Sequence, residues 1–367
     1  MKKLLTILGA TMSLISCTSE TTNEDFRETN ISEKEELAQL YEKAKLEGNE
    51  LTVWGGGDAP DQLDWVKNEW AKDFPDIKIN IRVDLSKFLD IEIDDQLSKN
   101  ALVPDIVHLQ TIHDFYRWKS QGELENFKPF QWNQIPDDIK DADGAYTPVY
   151  MISFGMLVNR DSVSNIPVSY VDLLGDKYKD KMMLTYPHDD DATLYLYKKI
   201  VDKYGWEYID NLIKQNPRWI RGTAAPVAQV AQGNYKGTMG AAGAFDTAID
   251  GGAQVVLPQE DHFLTWAQTA GIFKKSKHKE TAKLYLTWLL SKKMQNNWVQ
   301  WSVRKDIPTK ATYRSYREYS NTSPVEFREF MLDRDALNKF SKELEEKIGP
   351  VTGGSPLTDP EILSLLN

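Results

Sequence analysis

The sequence predicts an α/β fold built from two lobes that two crossing strands join. The first observation is the nearly uncharged run 146–160, which is rich in β-branched and aromatic residues. Pro148 and Gly155 exclude a helix interior there, so the run is predicted to be a strand. The second observation is a run of similar character at 263–273. The third is the length of 367 residues, which suits two domains. Two crossings make a hinge, with a cleft for a ligand between the lobes.

The first 17 residues carry the most specific local signal in the chain. Lys2 and Lys3 give a positive start, 4–15 form an apolar core, and Leu-Ile-Ser-Cys at 14–17 is a cleavage site that ends in cysteine. This site resembles the lipobox of bacterial lipoproteins. Cys17 is the only cysteine in the chain, so no internal disulfide can form, and we predict that its thiol carries a lipid anchor. The alternative is an ordinary signal peptide.

The composition after the signal peptide predicts a tethered protein outside the cytoplasm. Residues 18–31 are mostly Ser, Thr, Asn and acidic residues, which predicts a flexible tether. No later apolar run is long enough to span a bilayer, so the lipid is expected to hold the protein to a bacterial membrane. The net charge of -11 and the lack of a basic block exclude nucleic acid as a partner, because phosphate binding needs clustered Lys and Arg.

The first lobe is predicted to begin with a helix that Ser32 and Glu35 cap. A strand at 51–54 then runs into Gly55-Gly56-Gly57-Asp58, and a second helix is expected to begin near Pro60. Free backbone N–H groups beside the positive end of a helix would suit an anion or a polar group of a ligand. The alternative is that the glycines only permit a tight turn. Gly56, Gly57 and Asp58 are therefore candidate ligand contacts.

The rest of the first lobe alternates strands with helices, which predicts a mostly parallel sheet. Strands are expected at 77–83 and 105–110, each followed by a helix. Gln110 and Thr111 lie at the end of the second of these strands, where ligands bind in such sheets. His108 and His113 are five residues apart, and we interpret them as ordinary core or surface histidines, not metal ligands.

Two strand ends in the second lobe supply further candidates. A strand at 182–186 leads into 187–193, which contains His188, Asp189 and Thr193. Acidic residues here suit helix capping, but a carboxylate that faced the cleft would bind a cation or the hydroxyls of a polyol, and would repel phosphate. A strand at 218–221 delivers Gly222 and Thr223 to a helix. With Arg221 these residues could clamp an anion or a carbonyl group, although a plain capped helix also needs the threonine.

The last third is predicted to add a helix at 279–290 and further helices, with Phe327, Phe330, Met331 and Leu337, that lie over the second lobe. The small-residue run 237–243 is expected to be a strand. Its glycine spacing does not match the dinucleotide-binding fingerprint.

Several segments together resemble the solute-binding proteins of bacterial ABC importers. The resemblance is to the two-lobed type 2 periplasmic-binding-protein fold, and within it to the branch that binds ferric ion, sugar phosphates or phosphonates. It extends over about 50–304 and implies one lobe of 32–149 plus 266–304 and another of 150–265 plus 305–367. The segments that carry it are 51–58, 104–107, 156–161, 177–181, 227–233 and 271–280.

The sequence departs from the ferric-ion binders of that branch at one place. They carry adjacent tyrosines after the small-residue strand, where this chain has Ala244-Phe245-Asp246. Without phenolate oxygens a ferric ion lacks its hard anionic ligands, so iron is kept only as an alternative. Tyr150, Tyr186 and Tyr195 stay open as substitutes, although nothing in their spacing favours them.

The resemblance implies a monomeric binding protein that captures a small polar solute, anionic or of polyol type, and passes it to an ABC permease in the membrane. No cofactor and no metal are predicted. A surface-attached hydrolase is a further alternative, but the chain lacks a His-Glu-x-x-His helix, a Gly-x-Ser-x-Gly elbow and a cysteine nucleophile in its body. A structural lipoprotein is a third. The predicted ligand contacts are Gly56, Gly57, Asp58, Gln110, Thr111, Tyr150, His188, Asp189, Thr193, Arg221, Gly222, Thr223 and Trp266.

Overall fold

The computed structural model describes residues 31–245, 252–310 and 313–366. The predicted signal peptide, Cys17, nearly all of the tether and Asp246 lie outside these residues. The described strands are β1 Glu50–Gly56, β2 Lys78–Asp84, β3 Ile106–Leu109, β4 Thr147–Asn159, β5 Met183–Thr185, β6 Arg218–Ile220, β7 Gly237–Ala241, β8 Ala253–Val256 and β9 Leu264–Ile272. The described helices are α1 Glu33–Ala44, α2 Asp64–Asp73, α3 Ser86–Ser98, α4 Ile112–Ser120, α5 Asp191–Tyr204, α6 Trp206–Lys214, α7 Ala224–Ala231, α8 Lys279–Leu289, α9 Lys292–Asn297, α10 Pro324–Leu332, α11 Arg334–Ile348 and α12 Pro360–Ser364.

A seven-stranded sheet runs through the molecule in the order β2-β1-β3-β9-β4-β7, and β8 also pairs with β4. The pairs β1–β2 and β1–β3 are parallel, as predicted, because α2 and α3 return the chain to the same end of the sheet. The pairs β3–β9, β9–β4, β4–β7 and β4–β8 are antiparallel. The sheet as a whole is therefore mixed, and the prediction of a mostly parallel sheet holds only for its first three strands.

The predicted crossing strands are β4 and β9, which lie side by side and run in opposite directions. Over 147–154 β4 pairs with β9, and over 155–159 it pairs with β7 and β8. The register shifts next to Pro148 and again after Gly155, the two residues that exclude a helix. A Cβ on Gly155 would lie 2.7 Å from the carbonyl oxygen of Val256, so the change of partners depends on this glycine.

A second, two-stranded parallel sheet consists of β5 and β6, which α5 and α6 connect. Helices α5, α6, α10 and α11 share a hydrophobic core with the far half of β4. Phe327, Met331 and Leu337 are buried in this core and Phe330 is partly buried there, so the predicted C-terminal helices are present and pack against it. Within the described part of the chain, no helix is both long enough and apolar enough to cross a bilayer.

Candidate functional site

A cavity of about 150 Å³ lies where the ends of β1 and β3 face the beginnings of α5 and α7. Strand ends and helix beginnings both present backbone groups and polar side chains, and such places hold ligands in α/β sheets. The polar residues of its wall are Asp58, Gln62, Ser86, Lys87, Gln110, Thr111, Asp189, Asp190, Asp191, Thr223 and Gln268. The other residues are Gly56, Gly57, Leu85, Ile152, Phe154, Gly222, Ala242, Trp266 and Trp298.

The glycines after β1 are required by packing. A Cβ on Gly56 would lie 2.0 Å from Ser86 Oγ, and one on Gly57 would lie 2.6 Å from Gln62 Oε1. The expected free N–H groups are already bonded, since Gly57 N donates to Asp84 O at 3.0 Å and Asp58 N to Gln62 Oε1 at 2.9 Å. Helix α2 begins only at Asp64, so the prediction of a helix that begins near Pro60 is wrong. Side chains, and not these backbone groups, give this wall its chemistry.

The carboxylate of Asp58 crosses the cavity to the beginning of α7. Its Oδ2 accepts hydrogen bonds from the backbone N of Thr223 and, at 2.9 Å, from Thr223 Oγ1. Gly222 has a φ of 79°, and a Cβ there would lie 3.3 Å from the same carboxylate oxygen and 2.9 Å from Pro356 Cβ. A larger residue at position 222 would therefore be strained and crowded. An acidic side chain of the protein already occupies the place that the sequence suggested for an anion.

Asp189 holds two basic side chains at the edge of the cavity. Lys87 Nζ lies 2.5 Å from Asp189 Oδ1, and Arg221 Nε donates to Asp189 Oδ2 at 2.8 Å. A second bond runs from Arg221 Nη2 to Asp189 Oδ1 at 3.2 Å. The guanidinium that was predicted to clamp a ligand thus pairs with a carboxylate of the protein. Lys87 and Asp189 lie 102 residues apart in sequence. The pair joins the side of the cavity formed by the ends of β1 and β3 and the beginning of α3 to the side formed by the beginnings of α5 and α7. We call these sides the two walls of the cavity.

Asp190 has no basic side chain within ion-pair distance among the described residues. Its Oδ1 caps α5 by accepting from Thr193 N at 2.8 Å, and its Oδ2 accepts from Gln110 Nε2 at 3.4 Å. Burial of the carboxyl, together with the charges of Asp191 and Asp58, raises the pKa of Asp190 to about 6. The cavity therefore contains negative charge that the protein does not neutralise.

Three aromatic rings complete the wall. Trp266 Nε1 donates to Gln268 Oε1 at 3.3 Å, and Trp298 Nε1 donates to the carbonyl oxygen of Met151 at 2.8 Å. Phe154 packs edge-on against Trp266, with ring centroids 4.8 Å apart. Since both indole N–H groups are bonded inside the protein, the rings offer mainly carbon surface to a ligand.

A family model, described as bacterial extracellular solute-binding protein, matches residues 102–323, which is more than half of the chain. The chain belongs to this family. No curated protein matches it in sequence. Solved structures of other binding proteins share the fold of this chain. Iron-bound HitA from Pseudomonas aeruginosa superposes with a TM-score of 0.62 at 13% identity, over 80% of this chain and 99% of HitA.

Two further structures of binding proteins have the same fold. AfuA from Actinobacillus pleuropneumoniae, with fructose-6-phosphate bound, gives a TM-score of 0.65 at 15% identity, over 82% of this chain and 98% of AfuA. The substrate-binding protein of an ABC transporter from Agrobacterium tumefaciens gives 0.69 at 13% identity, over 82% of this chain and 94% of that protein. These likenesses show the two-lobed binding-protein fold and leave the solute open.

Most of the residues predicted to contact the solute line the cavity: Gly56, Gly57, Asp58, Gln110, Thr111, Asp189, Gly222, Thr223 and Trp266. Tyr150, His188, Thr193 and Arg221 are not among the lining residues. Thr193 is buried and its Oγ1 donates to Gly240 O at 3.2 Å, while His188 packs against the ring of Tyr186.

Tyr150 lies in the core of this solute-binding protein, with its ring centroid 4.6 Å from that of Trp298 and 6.0 Å from that of His108. Burial raises the pKa of Tyr150 well above its usual value, and burial with the charge of Glu326 does the same for Tyr195. Neither phenol lines the cavity.

One group of described side chains, Asp90, His113 and Asp114, could reach a common metal ion. None of the three lines the cavity. Asp114 already accepts from Arg117 Nη2 at 2.5 Å.

Several residues that line the cavity were not predicted, although two rules of sequence reading would have found three of them. Ser86 and Lys87 follow β2, so the strand-end rule that gave Gln110 applies to them as well. Gln268 lies two residues beyond Trp266 on β9 and therefore shares its face of the sheet. Trp298 follows α9 and reaches back to β4, and no local pattern marks it.

Proposed function

We propose that this solute-binding protein captures a small solute in the cavity described above and delivers it to an ABC permease in the membrane. The observation that carries the proposal is the set of contacts across the cavity. Asp58 bonds to Thr223, Lys87 to Asp189 and Gln110 to Asp190, and these partners lie 165, 102 and 80 residues apart. These contacts join segments that are distant in sequence across one small cavity, which supports capture between two parts of the chain.

Closure of the two walls is the proposed mechanism of capture. A solute touches both walls only when they are together, so its binding favours the closed arrangement over an open one. The strands β4 and β9 are suited to act as the hinge, since each extends from one set of packing partners to another. We propose that the lobes comprise 32–149 with 266–304 and 150–265 with 305–367, which places the hinge within these strands.

We further propose that the protein acts as a monomer held to the membrane by lipid on Cys17. The permease would then receive the solute from a binding protein that cannot diffuse away. The tether raises the local concentration of the solute-loaded protein at the transporter. The absence of a recognisable catalytic motif in the sequence supports a binding protein over a hydrolase.

An organic solute is favoured over a bare ferric ion. Among the residues that line the cavity there is no tyrosine, so a ferric ion there would lack phenolate oxygens as hard anionic ligands. HitA was solved with iron bound, but the likeness between the chains is one of fold.

A thermal-shift panel tests the proposal. The full chain is heated with sugars, sugar phosphates, amines, amino acids and Fe(III), each at several concentrations. A solute present at about a hundred times its dissociation constant should add ~2.7 kcal/mol to the free energy of unfolding. Asp58→Ala should reduce this stabilisation, because it removes the contact with Thr223, whereas Asp202→Asn, an exposed carboxylate on α5, should not. Turnover of an ester or glycoside without stabilisation by any solute would contradict the proposal and favour a hydrolase.

A further inference from the structure

Acidic side chains outnumber basic ones among the residues that line the cavity. Lys87 is the one basic side chain among the described residues of its wall, and it is bound to Asp189 together with Arg221. Arg334 lies outside the wall and pairs with Asp191 at 3.1 Å. A negatively charged solute would meet no unpaired cation here and would have to displace a carboxylate to gain one.

The N–H group just before α7 already has an acidic partner. Helix beginnings attract anions through their unpaired N–H groups, but the N–H of Thr223 already donates to Asp58. Asp58 is itself bonded only to neutral groups at this position, the N–H and the hydroxyl of Thr223. Together with Asp190, it leaves two carboxylates on the wall that have no ion pair with any described residue.

We propose that the solute is a small organic cation that bears an ammonium group, an inference that rests on the proposed function of the cavity. The ammonium would lie between Asp58 and Asp190 and offset part of their negative charge. Both carboxylates are partly buried, and a charge that is partly withdrawn from water gains from such a partner. An uncharged polyol could donate hydrogen bonds to the same oxygens, but it would leave their charge uncompensated.

The apolar side of the cavity suits the rest of such a solute. Phe154, Trp266 and Trp298 offer carbon surface, and aromatic faces attract cations through their π electrons. A cavity of about 150 Å³ can hold a molecule of the size of benzene, so the solute is a short alkylamine or a compound with a single ring.

Titration calorimetry on the full chain tests the charge of the solute with four probes: 1,4-diaminobutane, choline, glucose and fructose 6-phosphate. We expect at least one of the two cations to bind with a dissociation constant about tenfold or more below that of glucose, and fructose 6-phosphate not to bind. Asp190→Asn should weaken cation binding by about tenfold or more, since it replaces a charged acceptor with a neutral one of the same shape. Asp202→Asn should leave the binding within about twofold of the wild type, because its carboxylate pairs with Lys198 on the outer surface.

The outcomes separate this inference from the proposed function. Binding of glucose or fructose 6-phosphate that Asp58→Ala weakens, without binding of either cation, would overturn the inference and leave capture in the cavity standing. Cation binding that Asp190→Asn does not change would also overturn it, because the ammonium would then lie elsewhere. A lack of stabilisation by every solute of the wider panel would instead count against the proposed function itself.

Discussion

Asp190 is the residue at which capping and binding conflict. Its carboxyl caps α5 through Thr193, yet it lies beside the carboxylates of Asp191 and Asp58. The carboxyl of Asp190 must be ionised to bind a cation, yet it lies where its surroundings make the ionised form costly. Such sites are maintained for binding more often than for stability.

Replacement of Asp190 by asparagine should stabilise the protein at pH 7 in the absence of added solute. The pKa of Asp190 is about 6 in the folded protein and about 3.8 in an unfolded chain, so the folded state loses stability as the pH rises from 4 to 6. Asparagine avoids this loss and still caps a helix well. We expect a gain on the order of 1 kcal/mol in urea denaturation at pH 7. The gain should shrink at pH 4, and a loss of stability at pH 7 would contradict the account.

His108 should make the protein sensitive to acid. Its ring is buried and lies 3.2 Å from the hydroxyl of Tyr285, and burial lowers the pKa of His108 to about 4. The unfolded state takes up a proton near pH 6.5 while the folded state does not. Stability is therefore complete above pH 6.5 and is lost as the pH falls toward 4. His108→Gln should flatten the pH dependence of unfolding between pH 6.5 and 4, even if it lowers stability at pH 7. An unchanged slope would contradict this assignment.

At the scale of elements, the ends of strands decide where the site lies. The sequence predicted contacts after β1, β3 and β6 because ligands collect at strand ends, and the cavity lies there. The same rule would have found Lys87 after β2. It could not find Trp298, since the position of that ring depends on how the end of α9 packs against β4, which no local pattern encodes. Nor could spacing show that Asp58 bonds to Thr223, a contact between residues 165 positions apart.

The close packing of Gly56 at the end of β1 can be tested by substitution. Gly56→Ala would place a Cβ 2.0 Å from Ser86 Oγ and should destabilise the protein by about 1–3 kcal/mol. Ser86→Ala in the same chain removes the nearest atom and should restore part of the loss. Chemical denaturation of the single and double variants measures both effects. If the second substitution only adds to the first, the two residues do not clash as the structure indicates.

At the scale of the whole molecule, the contacts across the cavity set how readily the two walls separate. The pair of Lys87 and Asp189 is partly exposed, so it contributes only about 0–1 kcal/mol. Thr223 makes two hydrogen bonds to the charged carboxylate of Asp58, and bonds to a charged acceptor are each worth about 1.5–3 kcal/mol, so they hold the walls together more strongly. Asp58→Ala should therefore increase the radius of gyration in small-angle X-ray scattering without solute, whereas Lys87→Ala should change it little. Equal effects of the two variants would show that neither contact limits opening.

The measurement that tests the central claim most directly is the distance between the two walls with and without solute. Cys17 is the only cysteine of the chain, so in a Cys17→Ser background Lys99→Cys on the proposed first lobe and Asp210→Cys on the proposed second lobe provide two defined sites for spin labels. Both side chains are exposed and lie outside the cavity. The solute that stabilises the protein most should collapse a broad distribution of distances into a single short one, and Asp58→Ala should weaken that response. A distribution that stays unchanged at saturating solute would contradict capture between two closing lobes.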